Sequence, residues 1–307
     1  MDLQHLQNFL TILDQKSISN AASLIRIAQP ALSRQLRALE DEVGTPLLIR
    51  HRWGVSPTPA GEVLAEHARD ILRRVRTARD AISTLTSSPS GALAVGVTAS
   101  MAGLILPPLA MEAQALMPAV SLKLAEGYTR VLHQRLLAGE MDVAVIHARE
   151  RLPSLDTRPL MTEPIVFAGP AGLFRPGEAV TMKQVLQHQS LVTAPSGRLR
   201  LLYEQAAATA GAAPTRFMEV DSLPALLELL AAGAGVAMLA YSTIHAGVEA
   251  GRLSWAHLAP RPLTRKIVIA RPHDRLETPA WLTMADLIWR IVEARAETYR
   301  WTVARAA

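Results

Sequence analysis

Seven apolar residues, Leu64, Ala68, Ile71, Val75, Ala78, Ile82 and Leu85, recur alternately four and three positions apart. This is the a/d seam of a coiled coil, and so narrow a stripe calls for a partner helix. Thr58-Pro59 opens the helix with an N-cap and a first-turn proline, and the Ser/Pro/Gly run from Ser87 to Gly91 ends it. The seam is therefore expected to form a homodimer rather than to pack on its own domain. It also divides the chain into residues 1–58, a dimerisation helix and hinge at 59–90, and residues 91–307.

The first part reads as three short helices and a loop. Leu3, Leu6, Phe9, Leu10 and Leu13 give the first helix a buried face. The second is expected to start near Ser19 as N-cap, with Ala21, Ala22, Leu24 and Ile25 inward. Gln29-Pro30 opens the third, in which Leu32, Leu36, Leu39 and Val43 form the buried stripe. Pro30, Ser33, Arg34 and Arg37 then face outward. Arginine meets guanine bidentately or neutralises phosphate, and Ser and Gln bond bases or backbone, so Gln29 joins this set. Most exposed helices carry such residues, and the following loop decides between the two readings. Arg50-His51-Arg52-Trp53-Gly54-Val55-Ser56-Pro57 is cationic and turn-rich, as a wing lying on phosphates or over a minor groove would be. Arg50 and Arg52 are its candidate contacts, and Trp53 is assigned none. Arg69, Arg73, Arg74, Arg76 and Arg79 lie off the seam, where they could contact acidic residues of a partner or DNA backbone, and a solvated flank is the favoured reading.

Composition narrows the class. The 307 residues exceed one typical domain, and 50% hydrophobic with 19% charged residues indicates filled cores. A net charge of +5 permits a polyanionic partner without requiring one. There is no cysteine, which excludes disulfides, thiolate metal sites and cysteine nucleophiles and suits a reducing cytoplasm. Met-Asp-Leu-Gln-His lacks the basic and apolar regions of a signal peptide. No charge occurs between Asp80 and Glu112, yet Ser87, Pro89, Gly91, Gly96 and Pro107-Pro108 interrupt the stretch, so no membrane span is expected.

After Gly91 strands and helices alternate. Residues 93–98, 120–126 and 142–147 read as strands separated by helices near 101–116 and 129–138. A second set has strands at "PIVFAG", "SLVTA", "RFMEV" and "GVAMLA" and helices near 181–187, 198–209 and 222–232. A late strand "RKIVIAR" and a helix near 279–297 follow. β-α-β order implies parallel sheets with right-handed crossovers, hence two α/β lobes.

Ligand is expected at strand C-termini and helix N-termini, where unpaired N–H groups attract anions. Thr98, Ala99 and Ser100 close the first strand, and Ser196-Gly197 does the same in the other lobe. Thr129 opens a helix, His147 ends a strand and Asp221-Ser222 sits at another junction. Each is also a position where such residues cap helices or serve structure alone.

Residues 3 to about 85 resemble the N-terminal part of LysR-type transcriptional regulators. The resemblance rests on Ala21-Ala22, Gln29-Pro30-Ala31, Ser33, Leu39-Glu40, Gly44, Leu47, Arg50 and Thr58-x-Ala60-Gly61. "IAQPALSRQLRALE" and "LLIRHRWGVSPTPAG" are most similar to the branch containing the nitrogen assimilation control protein, which does not itself establish a nitrogen-related role. Gly91-x-Leu93, Gly96, the Leu106-Pro107 helix start, Pro118-x-Val120, "LLAGEMDVAV", the turn from Gly197 to Leu202 and "LLAAGAGVAML" extend the resemblance over nearly the whole chain. Three positions depart from the family pattern: Ala28 for a small hydroxyl residue, Leu48 for Phe, and Ala240 for proline. The resemblance implies a winged helix-turn-helix, a coiled-coil linker helix and a two-lobed α/β effector domain similar to periplasmic binding proteins. It favours Thr98 to Ser100, Thr129 and Ser196 for a small anionic effector, and implies a tetramer built from two dimers.

No Gly-x4-Gly-Lys-Ser/Thr, Gly-x-Ser-x-Gly or complete dinucleotide fingerprint occurs, and the nine histidines are scattered singly. No catalysis, metal or cofactor is expected. The function read from the sequence is effector-controlled, sequence-specific binding of double-stranded DNA. A ligand-binding module without DNA activity is the alternative.

Overall fold

The computed structural model describes residues 1–83, 89–148, 154–175, 177–193, 198–211 and 217–304. It divides into two compact units, Met1–Ser87 and Ser88–Ala307.

In the first unit α1 (Leu3–Gln15) is capped by Asp2, whose carboxylate accepts from the His5 N–H at 2.7 Å. α2 (Ile18–Ile25) is capped by Ser17 rather than Ser19. α3 (Gln29–Val43) starts at Ala28 without a side-chain cap and ends at Gly44, whose φ of 77° is left-handed. β1 (Leu48–His51) and β2 (Gly54–Pro57) form an antiparallel hairpin, and α4 (Pro59–Ser83) follows with Thr58 Oγ1 accepting from the Gly61 N–H at 3.0 Å.

Phe9, Ile12, Ala21, Ala22, Leu32, Leu36, Leu39 and Leu47 make the core. Leu24, expected inside, is 62% exposed, because it lies about 200° round the helix from the buried Ala22. Val43 is likewise exposed, in the last turn before the Gly44 cap. Polar ties orient the pieces: Asn8 donates to Gln35 at 2.7 Å, and Glu40 accepts from the Leu47 N–H at 2.8 Å. The wing is pinned at Gly54. Its φ is 130°, and a Cβ there would lie 2.1 Å from the Lys16 carbonyl oxygen, which accepts from the Val55 N–H.

The seam needs correction in its first half. Ala68 is fully buried in the unit's own core, and Leu64 and Ile71 pack against that core beside Ala65. The helix thus spends its first four turns covering α1, and only beyond Ile71 does the stripe leave the core: Ile82 is 67% exposed and Ala78 is exposed. Leu85 and the linker from Ser87 to Ser88 lie outside the described residues.

The second unit begins with β3 (Gly91–Thr98), α5 (Ala99–Leu116), β4 (Val120–Gly127), α6 (Thr129–Leu137) and β5 (Val143–His147). β3 pairs in parallel with both β4 and β5. The chain then crosses on the long β6 (Leu155–Pro170) into the other lobe. That lobe holds β7 (Ala179–Val180), α7 (Met182–Val185), β8 (Ser190–Val192), α8 (Arg198–Thr209), β9 (Phe217–Glu219), α9 (Leu223–Ala231), β10 (Ala237–Ala240), α10 (Tyr241–Glu249) and β11 (Leu253–Leu258). β12 (Leu263–Pro272) crosses back, and α11 (Pro279–Glu293) and β13 (Thr302–Val303) finish the first lobe.

The main sheet runs β4-β3-β5-β12-β6-β11-β7, with β10 and β13 also on β6. It is mixed, not parallel as expected, because β6 and β12 are antiparallel along their length and β10 and β11 are antiparallel to β6. α5 starts at Ala99 and runs through Pro107-Pro108, so the Leu106-Pro107 pair is interior rather than a helix start. In the first lobe α5 and α11 pack Ile105, Leu109, Met284 and Ile288 against Val95, Val143 and Ile269. In the second, Phe167, Val192, Tyr203 and Met238 fill one face and Val166, Leu230, Leu239 and Trp255 the other. Both lobes therefore hang from the same two strands.

Candidate functional site

On α3 the side chains of Gln29, Arg34 and Arg37 are exposed with Pro30, and Ser33 is half-buried. Gln29 donates to Ser33 Oγ at 2.8 Å, which fixes both polar groups on the first turn. Arg50 on β1 and Arg52 at the hairpin turn are exposed, and the Arg52 guanidinium sits 4.6 Å from the ring centre of Trp53, itself 78% exposed. Among the described residues none of Arg34, Arg37, Arg50 and Arg52 has an acidic partner. Arg73 and Arg74 differ: both pair with Asp70, whose carboxyl is held below its ordinary range first by the hydrogen bond from Arg74. The side chains of Arg76 and Arg79 lie outside the described set. One helix face and one hairpin thus present uncompensated guanidinium groups within a single rigid unit, an arrangement that attracts phosphate.

Between the lobes lies a cleft of about 510 Å³. Thr98, Ala99, Ser100, Thr129, His147 and Asp221, six of the residues singled out by sequence, line it together. Ser196, the seventh, lies outside the described residues. Glu126, Tyr128, Arg130, Thr243 and Arg265 also line it, as do Leu199, Val220, Leu223 and Leu239.

Thr98 closes β3 and occupies the N-cap of α5, yet its hydroxyl makes no cap bond, and although 2% exposed it has no hydrogen-bond partner among the described residues. The N-terminus of α5 thus faces the cleft uncapped, where an anionic group would be favoured. Thr129 and His147 hold each other, Oγ1 to Nδ1 at 3.3 Å, with the His147 N–H on the same hydroxyl at 3.4 Å. Across the cleft Tyr128 donates to Asp221 at 2.5 Å, and that bond to a carboxylate, with partial burial, pushes the phenol up to about 12.

Behind the cleft lies a buried ion pair on the two crossover strands. Arg265 of β12 (side chain 3% exposed) meets Glu163 of β6 (0%) at 2.6 Å. Ser100 of α5 accepts from the same guanidinium at 2.9 Å, and Ser242 of α10 donates to the same carboxylate at 2.7 Å. One serine comes from each lobe. Such a pair tolerates burial because its charges cancel and further hydrogen bonds satisfy it.

Sequence reasoning missed Tyr128, Arg265 and Glu163. Tyr128 precedes the helix-opening Thr129 and carries no pattern. Arg265 opens the "RKIVIAR" strand, and the half of β6 holding Glu163 lacks the apolar run that marks a strand in sequence. A charged residue inside an apolar strand was the signal available. Two departures from the family pattern fit the local structure: Ala240 has φ −71°, a value proline itself would adopt, and Leu48 is buried at the wing base. Ala28 leaves α3 without a side-chain cap.

Among the described residues no group of His, Asp and Glu could hold a metal, and no helix is long and apolar enough to cross a membrane.

The model of the lysR-family bacterial regulatory helix-turn-helix proteins matches residues 3–62, and the LysR substrate binding domain matches residues 86–291. The nitrogen assimilation regulatory protein nac of Klebsiella aerogenes is 31% identical over 240 residues, 78% of each chain. The HTH-type transcriptional regulator GltR of Bacillus subtilis (strain 168) is 29% identical over 281 residues, 91% of this chain and 93% of GltR. Among solved structures a full-length OxyR variant from Pseudomonas aeruginosa superposes with a TM-score of 0.71 at 21% identity, covering 100% of this chain and 99% of that one. CbnR, a LysR family transcriptional regulator, gives 0.65 at 21% identity over 95% of this chain and 99% of CbnR. A helix-turn-helix unit followed by a cleft between two lobes is the build of a DNA-binding regulator with an effector domain. The chain belongs to the LysR family of transcription regulators. That placement favours regulation over the alternative of a ligand-binding module without DNA activity.

Proposed function

We propose that α3 enters the major groove and reads operator sequence through Gln29, Pro30, Ser33, Arg34 and Arg37, while Arg50 and Arg52 on the wing meet phosphates or the minor groove. The observation that carries this reading is the set of guanidinium groups that, among the described residues, have no acidic partner on one helix face and its adjoining hairpin. CbnR, a structural neighbour, has been solved with its target DNA, which supports the same use here. In functional terms the chain divides into a DNA-reading part at 1–58, a dimerisation helix and hinge at 59–90 and an effector domain at 91–307. Two copies pair through Val75, Ala78 and Ile82 of α4 and through Leu85, which follows its described end, and two dimers assemble into a tetramer. The protein works in the cytoplasm and catalyses nothing.

The cleft takes a small effector whose anionic group lies at the start of α5 near Thr98, Ala99 and Ser100, with Thr129, His147, Ser196 and Asp221 around it. Binding shifts the lobe equilibrium only as far as the effector prefers one lobe arrangement over the other. The test is selection of genomic fragments by the purified protein at moderate and raised salt. Enrichment of a dyad-symmetric motif that persists at raised salt supports the reading; retention of all fragments, lost uniformly with salt, refutes sequence-specific binding.

A further inference from the structure

The charges of the cleft do not match a simple anion. Its back wall is donor-rich, with the uncapped N-terminus of α5 and the buried, unpartnered Thr98 hydroxyl. Arg265 is no free counter-ion there, because Glu163 already neutralises it at 2.6 Å. Toward solvent the lining changes sign: Glu126 and Asp221 are exposed, and among the described residues neither is ion-paired. Apart from the paired Arg265, Arg130 is the one cation among the described residues that line the cleft. Asp221 receives the Tyr128 hydroxyl, which places an aromatic ring beside the carboxylate, a setting that suits an ammonium group. Leu199, Val220, Leu223 and Leu239 add apolar lining to the same cleft.

We propose that the effector is a small zwitterion, its carboxylate at the start of α5 and its ammonium group held by Asp221 and Glu126 at the face of Tyr128. This rests on the cleft being the effector site. A plain anion would gain the helix terminus but meet two carboxylates; a plain cation would meet the positive end of α5. A short amino acid with an apolar middle meets favourable charge at both ends, and Asp221 makes the second lobe part of its recognition.

The test uses the full chain with δ-aminovalerate, valerate, pentylamine and the common amino acids as probes, by thermal shift and then titration calorimetry. At least one zwitterion is expected to bind, with valerate and pentylamine at least tenfold weaker than δ-aminovalerate if that is the responder, or the matching deaminated and decarboxylated analogues otherwise. Asp221→Asn should weaken the zwitterion about tenfold while leaving the anion-only analogue unchanged or tighter. Asp221 is exposed, so the variant keeps its core. Equal binding of the anion-only analogue, still lost in Thr98→Val, overturns the zwitterion class but leaves the cleft as effector site. Binding that neither variant alters overturns both. Silence from the whole amino-acid set overturns the zwitterion class.

Discussion

Thr98→Val separates a hydroxyl kept for fold from one kept for ligand. Thr98 is 2% exposed and its Oγ1 has no hydrogen-bond partner among the described residues, although it sits at an N-cap where such an oxygen ordinarily accepts an N–H. A buried, unsatisfied hydroxyl carries a desolvation cost of about 1–3 kcal/mol, and valine has nearly the same shape without it. Taking the low end, valine should stabilise the unliganded effector domain by about 1 kcal/mol. For a domain spanning residues 88–307 that raises the midpoint of thermal unfolding by about 2–4 °C. Scanning calorimetry without ligand reads this directly. The same variant should lose most of its thermal shift with any ligand that stabilises the parent protein. A midpoint that falls by a few degrees would refute the reasoning, since it would mean that the hydroxyl is paired in the folded protein and serves the fold.

Four other outcomes follow from the structure. Glu163→Gln leaves the buried Arg265 without its counter-ion and should cost about 3–5 kcal/mol in urea unfolding, most of it restored when Glu163→Leu is combined with Arg265→Met; an unmoved midpoint would show that the pair is not buried in solution. The Tyr128 phenol, pushed up to about 12, should contribute stability that is complete below pH 10 and lost as the pH rises through 12, and Asp221→Asn should bring its absorbance titration back toward 10. Ala68→Glu should unfold the N-terminal unit, whereas Ile82→Glu should leave its fold intact and halve the mass in solution; identical behaviour of the two would contradict the division of α4. Arg34→Ala should weaken operator binding and relax preference at one base pair, while a uniform loss across sequences with a shallower salt slope would make it a phosphate contact.

The parts of the fold that were legible are those with local causes. Leu32, Leu36 and Leu39 announce α3 because a helix buries every third or fourth residue, and the βαβ run from Gly91 to His147 announces itself by short apolar strands between amphipathic helices. Pairing was not legible. The antiparallel course of β6 against β12 joins residues about a hundred positions apart, and the polar letters Asp156, Arg158 and Glu163 hide the first half of β6 from a hydrophobic reading. The α4 stripe shows the complementary limit: periodicity reveals that Ala68 is covered but not by what, and in the structure α1 covers it. Six cleft residues were found because strand ends and helix starts are visible in sequence, whereas Arg265 and Tyr128 enter the cleft only through tertiary pairing.

That tertiary pairing also bears on how the cleft reports its contents. β6 and β12 are the only strands shared by both lobes among the described residues, and Arg265 and Glu163 face each other on them. Ser100 begins the helix that lines one side of the cleft and bonds the guanidinium; Ser242 begins α10 of the other lobe and bonds the carboxylate. Each lobe is therefore tied to one half of the same ion pair through the first turn of a helix, so a rotation of either lobe stretches a bond to a buried charge. A buried charge makes such stretching expensive. A ligand that contacts Thr98 beside Ser100 and also Asp221 on the opposite lobe gains both contacts only in the arrangement that brings the lobes together. For such a ligand, only a difference in affinity between lobe arrangements would shift the lobes, whatever its total affinity.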